Sequence, residues 1–112
     1  MEWYLAKIVF RIICGEGKHM AQFDEQLRLI AATDTKAALN KAKTIGINTE
    51  ECYLNQAKQV VHWKFINVAE LYHLNKLVDG TELYSRIEEN DEPENYIRII
   101  NKKAQHISIS NT

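Results

Sequence analysis

Cysteine, proline and glycine are all scarce in this chain: two, one and four among 112 residues. Cys14 and Cys52 lie far apart with no CxxC spacing, so neither a disulfide framework nor a zinc site is indicated. A reducing, cytoplasmic setting is expected on the same ground. Charge of one sign is also missing. Fourteen Lys and Arg against fifteen Asp and Glu leave a net charge of −1, with no overall basic field to hold nucleic acid. Long hydrophobic runs are absent, and the longest fall far short of a membrane span. Lys7 and Arg11 interrupt the apolar N-terminal stretch and no small-residue cleavage site follows, which argues against a signal peptide. A chain that opens directly on a core strand is expected to be a whole domain.

Catalytic and metal motifs are equally sparse. His19, His62, His73 and His106 make no HxH, HxxH or HExxH, and no carboxylate spacing completes a metal site. Gly15-Glu16-Gly17 lacks a third glycine and opens a strand instead of a helix, so it is no phosphate loop. Ser85 has no GxSxG setting. Cys14 reads as a small core residue rather than a nucleophile. No metal and no cofactor is expected.

What is present is an ordinary globular composition, 46% apolar and 26% charged, in a chain of single-domain length. Such a chain buries roughly 65% of its unfolded surface, enough for one core without staples. Trp3 to Cys14 alternates, with Tyr4, Ala6, Ile8, Phe10, Ile12 and Cys14 on one face. After the turn Gly15–Met20, Gln22 to Ile30 returns, with Phe23, Leu27, Leu29 and then Ala31 apolar and Gln22, Asp24, Gln26 and Arg28 polar. Matching the apolar sets puts Ile12 opposite Phe23, Ile8 opposite Leu27 and Ala6 opposite Leu29. A one-residue slip would mismatch the whole ladder. This register sets Arg11 beside Asp24 as a cross-strand ion pair.

A helix is expected next, capped by Thr33 or Asp34, with Ala38, Leu39, Ala42 and Ile45 as a narrow stripe and Gly46 as its stop. Cys52–Leu54 can form a short strand, and Val60–Ile66 is a clear one. From Val68 to Leu77 two periods compete. Val68, Leu71, Leu74 and Leu77 fit a helix, while an extended continuation with a break near Asn67 is the preferred reading. Asp79-Gly80 signals a turn and Leu83–Ile87 alternates as a strand. Asn90–Pro93 starts a second helix, with Ile97, Ile100, Ala104 and Ile107 as its buried stripe. The expected fold is α+β, a two-layer sandwich in the order ββαββα. Two helices cover one face of a mostly antiparallel sheet of four or five strands. Residues 1–107 make the domain and 108–112 a frayed tail.

Trp3-Tyr4-Leu5-Ala6-Lys7 and Phe23-Asp24-Glu25-Gln26-Leu27-Arg28-Leu29-Ile30 resemble a bacterial family of small proteins, domain of unknown function 4288. Trp63-Lys64-Phe65, Val68, Glu70-Leu71 and Asp79-Gly80-Thr81-Glu82-Leu83-Tyr84-Ser85 extend the resemblance from about Trp3 to Ile87. The family implies no activity and no catalytic residues, so it adds only that this is a small domain of bacterial type.

The candidate site follows from the opening hairpin. Trp3, Lys7, Arg11, Asp24, Glu25, Gln26 and Arg28 are its candidate binding residues. Leu5, Val9 and Ile13 share the outer face, which is too apolar for a solvated surface and too charged for a core. Such a mixture has the composition of an interface. The leading expectation is a non-enzymatic module that binds a protein partner or itself, a homodimer being the simplest form, with no nucleic acid and no membrane involved. The plain alternative is a solvated ladder whose surface pairs contribute about 0–1 kcal/mol. The two arginines could hold an anionic group. Glu25 interrupts the apolar face of the second strand. It marks the end of helix cover, a structural ion pair, or an acid/base for a small-ligand binder or enzyme. Trp63 alternates with Val61 and Phe65 and reads as core. The acidic run from Glu88 to Glu94 fits a helix start, and faintly an immunity-type protein that neutralises a toxin.

Overall fold

The computed structural model describes residues 1–110. The elements are β1 (Glu2–Cys14), β2 (Gln22–Ala32), α1 (Thr35–Thr49), β3 (Glu51–Leu54), β4 (Val60–Leu74) and α2 (Pro93–Ser110). The four strands form one antiparallel sheet in the order β2-β1-β4-β3. The fold is α+β, with α1 laid on one face of the sheet as the second layer.

The hairpin β1–β2 forms where expected, but its register is one residue away from the expected one. Ile12 lies opposite Gln22, Ile8 opposite Gln26, Ala6 opposite Arg28, and Arg11 opposite Phe23. The reason lies at the far end of β2. This strand carries two apolar sets of opposite parity: Phe23, Leu27 and Leu29, then Ile30 and Ala32. Only Thr33 and Asp34 separate β2 from α1, so the last residues of the strand must lie beneath the start of the helix. Ile30 and Ala32 therefore turn inward with Tyr4, Ala6, Ile8 and Phe10. That choice fixes the phase of the whole strand. Phe23, Leu27 and Leu29 go to the opposite, outer face, each about half exposed.

Asp34 caps α1: its Oδ1 accepts from the Ala37 N–H at 2.8 Å. Ala38, Ala42 and Gly46, four residues apart, form the buried ridge of the helix. Gly46 does not stop the helix, which runs on to Thr49. It presses against Phe65, where a Cβ at this position would lie 2.4 Å from two ring carbons. The end comes at Glu50, whose N–H donates to Ile47 O and whose carboxylate accepts from the Phe65 N–H at 2.9 Å. Glu50 thus acts as one further rung beside β3.

β4 is continuous from Val60 to Leu74, the extended reading of residues 68–74. The break expected near Asn67 is a pair of bulges. Pairing with β1 shifts between Lys7 and Ile8 and again between Val9 and Phe10, leaving Ala69 and Ile66 without partners. Between the shifts Val68, and on either side Leu71, Phe65 and Trp63, pack on the core. Trp63 is a core tryptophan, its ring 6.3 Å from that of Phe10.

Two expectations for the C-terminal third fail. Residues 83–87 form no strand. After the turn at Gly80, which has positive φ, the chain is drawn across the outer face, where Tyr84 packs edge-on against Tyr72 with centroids 5.6 Å apart. The second helix forms, yet among the described residues it touches no other element. Its stripe of Tyr96, Ile97 and Ile100 is exposed, so α1 alone covers the sheet. The radius of gyration, 18.3 Å, exceeds the roughly 13 Å of a compact chain of this length. α2 runs through 108–110; the rest of the tail expected over 108–112 lies outside the described residues.

Candidate interaction face

The outer face of the sheet is built by the odd residues of β1 and β2 and the even residues of the last part of β4. Leu5 pairs with Leu29 and Tyr72, Lys7 with Leu27 and Glu70, Val9 with Glu25, and Arg11 with Phe23 and Lys64. Lys7 stands at the centre. Its ammonium donates to Glu70 Oε2 at 2.7 Å and lies 3.4 Å from Glu25 Oε1. Tyr72 donates its hydroxyl hydrogen to the other oxygen of Glu70. The Tyr84 ring sits 5.8 Å from the ammonium, within reach of a cation–π attraction.

These contacts set the protonation of the group. The hydrogen bond to Glu70 raises the Lys7 pKa above its ordinary 10.5, against desolvation and with help from Glu25. The same bond, followed by that from Tyr72, lowers the Glu70 carboxyl below 4.5. Accepting carboxylate beside it raises the Tyr72 phenol above 10.0. The trio is charged ammonium, charged carboxylate and neutral phenol at neutral pH. Glu25 remains the outward arm of the group, with 61% of its side chain exposed against 21% for Lys7.

The seven residues expected to bind divide between the two faces. Trp3, Lys7, Arg11 and Glu25 share the outer face. Asp24, Gln26 and Arg28 face the helix side, beyond the end of α1's cover, and form a ladder of their own. Gln26 Nε2 donates to Asp24 Oδ2 at 2.7 Å, and Arg28 donates through Nε and Nη2 to Gln26 Oε1. Arg11 and Asp24 therefore do not pair, and Arg11 and Arg28 cannot grip one anion. Glu25 lies opposite Val9 rather than Phe10, and its partner is Lys7. Glu70, Tyr72 and Tyr84 were missed. The signal was Glu70 and Tyr72 alternating with Leu71 in the segment whose period was ambiguous, but only the β1–β4 pairing brings them to Lys7.

A second polar group lies at the hairpin end, where Cys14, Glu16, Lys18, His19 and Gln59 line an open cavity of about 820 Å³. His19 Nε2 accepts from the Cys14 N–H at 3.0 Å, while Nδ1 lies 2.8 Å from Met20 O. This network assigns a neutral ring protonated at Nδ1, with both nitrogens taken by backbone. The Cys14 thiol donates to Gln59 Oε1 and accepts from Asn55 Nδ2. A histidine so occupied is no base for the thiol. The group clasps the β1–β2 turn to the β3–β4 turn. Cys14 is half-buried at this rim rather than in the core.

The outer face and the clasp both lie within the stretch that matches a known family model, described as a domain of unknown function (DUF4288), over residues 3–85. The chain belongs to this family. The DUF4288 match includes Lys7, Glu25, Glu70, Tyr72 and Tyr84 and stops before α2. No match was found among the curated proteins or among the solved structures. No helix among the described residues is long and apolar enough to cross a membrane.

Proposed function

We propose that this domain is a non-enzymatic binding module whose outer sheet face is the contact surface, and that the partner is a protein, in the simplest case a second copy. One observation carries the reading: Phe23, Leu27 and Leu29 stand half exposed in a row beside the Lys7–Glu25–Glu70 group. An apolar strip around a fixed charge group has the composition of an interface core with its polar rim. The charges set orientation and partner choice, and the apolar strip supplies the binding free energy. The neutral, fully engaged His19 and the exposed, salt-bridged Glu25 supply no acid/base in either polar group, which supports binding over catalysis. A cytoplasmic location fits two free cysteines.

Sedimentation equilibrium at micromolar concentration tests the self-associating form. Wild type is expected as a reversible dimer, and Leu27→Glu or Val9→Glu as a monomer of unchanged circular dichroism. A wild type that stays monomeric up to hundreds of micromolar removes self-association.

A further inference from the structure

Tyr96, Ile97 and Ile100 of α2 and the β2 strip of the outer sheet face are two exposed apolar surfaces of one chain, and among the described residues α2 contacts no other element. α2 is five turns long, about 27 Å at the usual rise per residue. Tyr96, Ile97, Ile100 and Ala104 lie on one side of it at helical spacing, the first three being 40%, 56% and 44% exposed. The strip on β2 belongs to a strand of eleven residues, roughly 36 Å of extended chain, so the helix fits along it. The charges on the two surfaces are opposite in sign. The lead into α2 and its first turn are acidic at Asp91, Glu92 and Glu94, whereas the hairpin end of the outer face carries Arg11 and Lys64 side by side and exposed. Arg98, Lys102 and Lys103 follow along the helix, and Glu25 is the exposed acid of the face.

We infer that α2 of one copy docks on the outer sheet face of a second copy, over Phe23, Leu27 and Leu29, and that the exchange is mutual. The inference rests on the outer face being the contact surface, as proposed above, and names what covers it. Three observations favour a second copy over another occupant. Both surfaces are supplied by the same chain, so a twofold pair satisfies each of them twice with no third component. The arm is extended away from its own body, as the radius of gyration of 18.3 Å records, which is the geometry of an exchanged element. The area suffices: three large side chains on each surface, each hiding on the order of 80 Å², give about 1,000 Å² over the two copies, the lower size of a specific interface.

The test uses the full chain in two measurements. In sedimentation equilibrium, Ile100→Glu on α2 is expected to weaken dimerisation more than tenfold, as Leu27→Glu does. Because Ile100 is exposed and touches no other element, this variant keeps the fold of the sheet. If Leu27→Glu abolishes the dimer while Ile97→Glu and Ile100→Glu leave it intact, the face is the interface and α2 is not its occupant. If wild type is monomeric, self-association fails and the exchange fails with it. The second measurement mixes isotope-labelled wild type with unlabelled chains carrying a nitroxide at Asn101→Cys in a Cys14→Ser, Cys52→Ser background. Broadening of the Phe23, Leu27 and Leu29 amides in the labelled copy is expected. Broadening confined to the spin-labelled chain's own face, seen when that chain carries the isotope alone, shows α2 folding back on its own sheet and overturns the exchange.

Discussion

Single residues in this domain act through close approach. Gly46 is the clearest case, since the Phe65 ring occupies the space where its side chain would begin. Alanine gains about 1 kcal/mol in helix propensity over glycine. Forcing the ring aside costs more, about 1–3 kcal/mol. Gly46→Ala is therefore expected to destabilise the domain by up to about 2 kcal/mol in urea titration, and Gly46→Ala with Phe65→Leu to recover part of the loss as a coupled pair. Asp34→Ala removes the cap of α1 and is expected to cost about 1 kcal/mol. The group at Lys7 is read through pH. Glu70 titrates below its ordinary 4.5, so its contribution is full above that value and is lost as pH falls through the lowered folded value. Lys7 and Tyr72 titrate above 10.5 and 10.0, so theirs is full below those values and is lost as pH rises past them. The urea midpoint is expected to be level between about pH 5 and 10 and to fall at both ends. Glu70→Gln should flatten the acid shoulder and shrink the alkaline one.

At the scale of elements, what the sequence makes legible is whatever local chemistry decides. Asp34 before an alanine-rich stripe marks α1, alternation marks β1, and Val61-Trp63-Phe65 marks the inward face of β4. Asn67 was readable as a break because two periods collide there. What was not legible depends on distant choices. β2 carries two apolar sets, and only the position of α1 decides which of them turns inward. That one decision moves Asp24, Gln26 and Arg28 off the expected face and brings Glu25 to Lys7. Gly46 looks like a helix stop until Phe65 is placed beside it. Glu70 and Tyr72 become visible only once β4 lies against β1. The stripe on α2 announces a buried helix but not what buries it. In dilute protein, α2 amides are expected to exchange with solvent far faster than those of β1, and to gain protection as concentration rises into the dimer range.

For the molecule as a whole, small-angle scattering of dilute protein is expected to give a radius of gyration near the 18.3 Å of the extended monomer, well above the roughly 13 Å of a compact chain. A value near 13 Å for a monomer would mean that α2 lies folded against its own body. The family match ends at residue 85, so the sheet, α1 and the Lys7 group lie within the matched stretch and the arm lies beyond it. The two bulges of β4 carry a further consequence. Ala69 and Ile66 each shift the strand by one residue, and together they restore its phase, so that Leu71 and Phe65 both turn inward on either side of Asn67. Each is an extra residue with no counterpart on β1, so deleting Ala69 or Ile66 alone would remove one bulge and leave Leu71, Val68, Phe65 and Trp63 paired and facing as they are. At these two points the strand can lose one residue without turning its side chains over.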